Sequence, residues 1–124
     1  MRAIVVDDSR AMRTIMRKML GEIGFDEILE AEHGQAALDT MSETDPPDVA
    51  LVDWNMPEMD GLELVSRIRA ERCWDKVRVM MVTSETSPRQ VYEALKAGAD
   101  EYAMKPVTRD IIEAKLEMLG VAVA

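Results

Sequence analysis

The sequence predicts one α/β domain: a three-layer sandwich with helices on both faces of a five-stranded parallel sheet. Three observations predict it. Short apolar runs rich in β-branched residues, such as Ala3-Ile4-Val5-Val6, Val49-Ala50-Leu51-Val52 and Val79-Met80-Met81-Val82, read as buried parallel strands. Stretches with helical spacing separate them in strict β-α alternation, and right-handed crossovers then leave few topologies. Four of the runs lead into charged or hydroxyl residues: Asp7-Asp8, Asp53, Thr83-Ser84 and Lys105-Pro106.

Each element has its own signals. The first strand is roughly Arg2–Val6. Ser9 is a cap for a helix running to about Leu20, with Met12, Ile15, Met16, Met19 and Leu20 on its buried stripe and with Gly21 and Gly24 breaking it. Glu27–Ala31 is a short second strand, and Gly34 opens a helix through Ala37, Leu38 and Met41. Pro46-Pro47 makes the next segment a loop. The third strand ends at Asp53. A loop over residues 54–60 follows, and Gly61 leads into a helix with Leu62, Leu64, Val65, Ile68 and Arg69. The fourth strand ends at Thr83. Ser87-Pro88 reads as an N-cap followed by proline at the first helical position. That helix carries Val91, Ala94 and Leu95 and stops at Gly98, a left-handed cap. The fifth strand is about Glu101–Met104. Thr108 caps the last helix, which turns Ile112, Leu116 and Leu119 inward and sets Asp110 near the positive end of its dipole.

Composition narrows the function classes. With 124 residues, 48% hydrophobic and 31% charged, the chain suits a single globular domain over residues 1–124. A net charge of −9 without any Lys/Arg run argues against a nucleic-acid surface. Cys73 is the only cysteine, so no internal disulfide forms, and it is read as a half-buried small hydrophobe in a reducing compartment. No basic and apolar leader precedes the first strand and no stretch has membrane-spanning length, so the expectation is a cytoplasmic protein with no membrane contact.

The strand ends carry the chemistry. In an open parallel sheet the carboxyl ends of the strands line one crevice, where ligands bind. The flavodoxin-like strand order 2-1-3-4-5 places strands one and three beside the switch point, which brings Asp7, Asp8 and Asp53 together. Thr83 and Lys105 arrive at the same edge. Three carboxylates, a hydroxyl and an ammonium suit a phosphoryl group: carboxylates for Mg²⁺ and for attack, the other two for the phosphoryl oxygens. Mg²⁺ takes octahedral oxygen coordination and keeps several waters, so two or three carboxylates and a carbonyl suffice. Without metal such a cluster repels itself, and at least one pKa should rise.

Val5-Val6-Asp7-Asp8-Ser9, Val52-Asp53-Trp54-Asn55-Met56-Pro57, Met59-Asp60-Gly61, Val82-Thr83-Ser84 and Lys105-Pro106 together resemble the receiver domains of two-component response regulators, over the whole chain. The resemblance implies that Asp53 is the phosphoacceptor. It implies Asp8 as the main Mg²⁺ ligand, Asp7 acting directly or through water, and the Asn55 backbone carbonyl as a further ligand. Lys105 would pair with Asp53 and then with the phosphoryl oxygens, and the Lys105–Pro106 bond would be cis. Thr83, next to Ser84, would hydrogen-bond a phosphoryl oxygen and so make room for Tyr102 to rotate inward as a switch. Asn55 and Glu85 would tune the lifetime of the phosphoryl group. Arg89, Glu93, Lys96, Ile111 and Lys115 would join Tyr102 in an output surface.

Within that family the Asp53–Pro57 segment, Glu85, Tyr102 and the lack of a second domain are similar to the stand-alone chemotaxis regulators. This implies a monomer that takes its phosphoryl group from a sensor histidine kinase, meets a phosphatase, and signals by binding a downstream protein, the flagellar motor switch being the leading target. A phosphorelay shuttle or phosphate sink is the alternative within the class. An aspartate-dependent phosphohydrolase is the alternative outside it, although such enzymes place the nucleophile after the first strand and need a cap domain. His33, in the loop after strand two, is read as a surface residue rather than a phosphodonor. Met56 and Met59, beside Asp53, are candidates for an exposed, soft patch.

Overall fold

The elements follow one another as β1 (Arg2–Val6), α1 (Arg10–Ile23), β2 (Glu27–Ala31), α2 (Gly34–Ser42), β3 (Val49–Asp53), α3 (Gly61–Ala70), a single 3₁₀ turn (Arg72–Trp74), β4 (Arg78–Thr83), α4 (Pro88–Ala97), β5 (Glu101–Met104) and α5 (Arg109–Met118). The structure, a computed structural model, describes residues 1–84 and 87–121. The sheet order is β2-β1-β3-β4-β5, with every pair parallel. Fold class and order are those the sequence predicts.

The alternation of side chains along the strands divides the core in two. On one face Ile4, Val6, Ala50, Val52, Val79 and Met81 meet α2, α3 and α4 through Met41, Leu64, Ile68 and Ala94. On the other, Val5, Leu51, Met80 and Val82 meet α1 and α5 through Met16, Leu20, Ile112 and Leu116. Fully burying each large side chain contributes about 1.5–3 kcal/mol. Ser9, Ser87 and Thr108 cap their helices, accepting hydrogen bonds from the backbone N–H groups of Met12, Gln90 and Ile111. Gly98 ends α4 at φ 118°, a conformation that favours glycine.

Several local readings change. Helix α1 passes through Gly21 and stops at Gly24, because its periodicity continues to Ile23. Ile15 is 45% exposed, since it lies about 100° round the helix from the buried Met16. Leu95 is exposed for the same reason, one residue on from the buried Ala94. Cys73, on the 3₁₀ turn, is exposed rather than half-buried. Met56 and Met59 are buried in the core, which removes the soft patch. Met59 lies so close to Gly34 that a Cβ there would come within 2.5 Å of its Sδ. His33 is half-buried and caps α2, its Nδ1 accepting from the Ala36 N–H at 3.1 Å.

Candidate functional site

Among the described residues the buried polar side chains are Asp7, Asp53 and Thr83, at 0%, 5% and 4% exposure. Asp7 follows β1; the other two are the last residues of β3 and β4. Burying such groups is costly unless they are paired, so their gathering at one strand edge marks a site. Asp8, the next residue, faces solvent. One oxygen from each of Asp7, Asp8 and Asp53 can be chosen so that all three lie within 4.8 Å of one another.

The loops after β1, β3 and β5 hold these groups in place. The Asp7 N–H donates to the Ala31 carbonyl at 3.1 Å, and its Oδ1 accepts from the Ser9 N–H at 2.8 Å. After β3, the Gly61 N–H donates to the Trp54 carbonyl at 2.9 Å. A Cβ on Gly61 would stand 2.4 Å from the Asp53 carbonyl oxygen, so α3 approaches the site this closely only because residue 61 has no side chain. Asp60 caps α3, accepting from the Glu63 N–H at 2.9 Å. The sequence reading did not identify that cap, although an aspartate with a glutamate three residues on is a recognised start signal.

Lys105 joins the set from across the sheet. Its N–H donates to the Thr83 carbonyl at 2.8 Å, and the following bond to Pro106 is cis, as expected. Its Nζ donates to Asp7 Oδ2 at 3.1 Å and to Asp53 Oδ1 at 3.3 Å. The sequence points to Asp53 as the partner of Lys105, whereas the lysine bridges two carboxylates, Asp7 as well as Asp53.

The electrostatics follow from this crowding. Burial, above all, raises the Asp53 pKa; the Asp7 charge adds to the rise, and Lys105 opposes it without cancelling it. Burial works to lower the Lys105 pKa, yet its bond to Asp7 and the charges of Asp53 and Asp7 outweigh burial and raise it. The lysine is therefore firmly protonated. An all-oxygen set of three crowded carboxylates, one of them reluctant to ionise, fits a small hard dication, whose charge would relieve the repulsion.

The remaining expected residues lie nearby or on the flank. Asn55 and Ser84 are exposed beside Asp53 and Thr83. Glu85 lies outside the described residues. Tyr102, on β5, is half-buried, and Lys115 Nζ sits 5.1 Å from its ring centroid while pairing with Glu101 Oε1 at 3.1 Å. Lys115 and Tyr102 are thus brought together, and Ile111 is exposed at 42% on the same helix. Arg89 pairs with Glu93 along α4 at 3.1 Å, and Lys96 is exposed on that helix.

A doubly wound sheet with buried acids after β1 and at the end of β3, a buried threonine ending β4 and a lysine with a cis proline after β5 has the form of a receiver. The chain belongs to the response regulator receiver domain family, which it matches over residues 3–117. It is closely related to the CheY chemotaxis regulators. It is 45% identical over 117 residues to a chemotaxis protein CheY homolog of Campylobacter jejuni, covering 94% of this chain and 90% of that one. It is 40% identical over 119 residues to the chemotaxis protein CheY1 of Helicobacter pylori, covering 96% of each. The solved structure of CheY4 from Vibrio cholerae superposes with a TM-score of 0.89 at 30% identity, over 95% of this chain and 97% of that one. Membership makes the protein a phosphoacceptor switch of a two-component system and not a turnover enzyme, with a histidine kinase upstream and a protein target downstream. No helix among the described residues is long and apolar enough to cross a membrane.

Proposed function

We propose that Asp53 accepts a phosphoryl group from the histidine of a sensor kinase and that the phosphorylated protein signals by binding the flagellar motor switch, acting in the cytoplasm as a single domain over residues 1–124. The bridging of Asp7 and Asp53 by the Lys105 ammonium carries this reading most directly. Transfer between oxygen and nitrogen nucleophiles needs positioning and charge neutralisation more than acid–base chemistry. A carboxylate oxygen of Asp53 attacks phosphorus. The O–P bond forms as the P–N bond to the donor imidazole breaks, and that bond's electron pair stays on the imidazole nitrogen. Lys105 neutralises Asp53 beforehand and the phosphoryl oxygens afterwards, since a point charge on a flexible stem can follow the change. The Thr83 hydroxyl meets the same oxygens, with Ser84 beside it as a tuning residue. Attack of water on phosphorus returns the carboxylate, with Asn55 and Glu85 setting its rate and a phosphatase assisting.

Asp8 and Asp53 would hold Mg²⁺ directly, with the Asn55 backbone carbonyl. Asp7, whose two carboxylate oxygens also accept from Ser9 and Lys105, would act directly or through water. Bound there, the ion supplies positive charge for the phosphoryl oxygens and relieves the carboxylate repulsion.

Phosphorylation adds about −1.5 to −2 units of charge. Drawing Thr83 inward vacates space into which Tyr102 turns, changing the face formed by Arg89, Glu93 and Lys96 of α4, Tyr102 of β5, and Ile111 and Lys115 of α5. The test is labelling with a small phosphodonor, followed by mapping of the hydroxylamine-labile adduct. Label on Asp53, absent in Asp53→Asn and without Mg²⁺, is expected; equal label on Asp53→Asn overturns the assignment. For output, beryllofluoride in place of the phosphoryl group should tighten binding of a motor-switch peptide about 5- to 150-fold, the usual size of allosteric coupling. A change below about twofold rules that peptide out. A wild-type response in Tyr102→Ala removes the rotamer switch.

A further inference from the structure

We infer that Arg13, steered by Glu30, is a positioning residue that sets the acidic loop for its cation. The observation is a bond from a helix side chain to the backbone of the site. The Arg13 guanidinium donates through one terminal nitrogen to the Asp7 carbonyl at 2.7 Å. Its Nε donates to Glu30 Oε1 at 3.3 Å, and the other Glu30 oxygen accepts from Arg17 at 2.8 Å. The Arg13 side chain is only 13% exposed, whereas Arg17 is 57% exposed. So β2, through Glu30, aims an α1 arginine at the end of β1.

This contact acts on more than one residue. The Asp7 carbonyl belongs to the planar Asp7–Asp8 peptide. Holding its oxygen orients that plane, and with it the start of Asp8, whose carboxylate completes the cluster with Asp7 and Asp53. The other polar atoms of Asp7 are also engaged, its N–H by Ala31, Oδ1 by Ser9 and Oδ2 by Lys105. Arg13 thus supplies the one restraint on Asp7 that comes from the α1 side chains. An arginine suits the task because its rigid planar fork reaches Glu30 and Asp7 through two separate nitrogens, a geometry that a single ammonium nitrogen does not reproduce. The inference rests on the proposed Mg²⁺ site, and it makes a prediction opposite in sign to simple electrostatics. A nearby cation should weaken Mg²⁺ binding, so its removal should tighten it. If Arg13 positions the loop, its removal weakens binding.

The test is Mg²⁺ titration of the full chain by calorimetry, and by tryptophan emission, in which Trp54, the neighbour of Asp53, reports beside the remote Trp74. Arg13→Ala is expected to raise the Mg²⁺ dissociation constant about 10-fold or more, the usual loss when an outer partner of a ligand is removed. Arg13→Lys should recover part of it. Glu30→Gln disturbs the aim of the arginine and should also weaken binding, with the lost anion acting in the same direction. Arg13→Lys, which keeps the charge and changes only the geometry, carries the test should Arg13→Ala fold poorly, and binding as tight as the parent's in it would overturn the inference. Arg17→Ala breaks an ion pair with the same glutamate without touching Asp7, and should stay within about twofold of the parent, well below that loss. Unchanged or tighter binding in Arg13→Ala and Glu30→Gln overturns the inference, as does an equal loss in Arg17→Ala. Absence of Mg²⁺ binding by the parent itself instead refutes the metal site on which it rests.

Discussion

Asp53→Asn should make the metal-free protein more stable, and the structure says by how much and at which pH. The substitution keeps an oxygen for Lys105 and removes one charge. At 4.8 Å, the outer limit of the carboxylate cluster, Asp7 repels Asp53 by about 3 kcal/mol at an effective dielectric constant of about 20. Asp8 adds about half as much, because it faces solvent. Lys105, 3.3 Å away, returns about 5 kcal/mol on the same scale. The charges nearly cancel, and burial of a carboxylate that is 5% exposed remains. A buried ion loses several kcal/mol of hydration, and partial access to water reduces this to about 1–3 kcal/mol here. Because the folded pKa of Asp53 lies above its ordinary value of 3.8, the folded state holds this proton more tightly than the unfolded chain. The penalty is therefore full above the folded pKa, shrinks as the pH falls through it, and disappears below 3.8. Urea denaturation in a chelator, stepped from about pH 8 to pH 4, follows it directly. Asp53→Asn should lead the parent by about 1–3 kcal/mol at neutral pH, with the lead falling on acidification. Saturating Mg²⁺ should narrow it, since ligand at about 100 times its dissociation constant adds about 2.7 kcal/mol to whichever form binds. A variant no more stable than the parent at neutral pH, or a lead that ignores pH, would refute the reasoning.

Other substitutions have equally definite outcomes. Lys105→Met leaves the fully buried Asp7 carboxylate without its cation and should cost about 2–4 kcal/mol at neutral pH by chemical denaturation. Gly61→Ala sets a methyl against the Asp53 carbonyl and Trp54 backbone, and should cost about 1–3 kcal/mol and slow labelling of Asp53 by a small phosphodonor; a silent Gly61→Ala would mean that α3 can retreat freely. Arg69→Ala removes bonds to the Gly98 and Trp74 carbonyls and to Asp100, and should cost about 2–3 kcal/mol while leaving Mg²⁺ affinity as it was, measured by urea unfolding and metal titration.

The amino-acid sequence by itself determined the order of strands and helices, the ends of every strand and most of the caps. Strand runs, capping serines and threonines and the Gly98 stop are local properties that the chain carries wherever it goes. The strand-end rule of parallel sheets then converts that one-dimensional pattern into a site, which is why Asp7, Asp53, Thr83 and Lys105 group together on the sequence alone. Tertiary structure alone decided which partner each side chain takes. Lys105 chooses two carboxylates, one of them 98 residues away in sequence, because register brings both within reach. Met56 and Met59 go inward because the loop after β3 folds over α2, and no feature of their own segment says so. Ile15 and Leu95 go outward because a helix buries only the stripe its neighbours cover. Nothing in the sequence near Arg13 or Arg69 names a partner for either, and they become a tether and an anchor once β2, and the turn before β5, are laid beside them. Periodicity and propensity act over a few residues, whereas pairing, burial and charge depend on distances that only the packed chain creates.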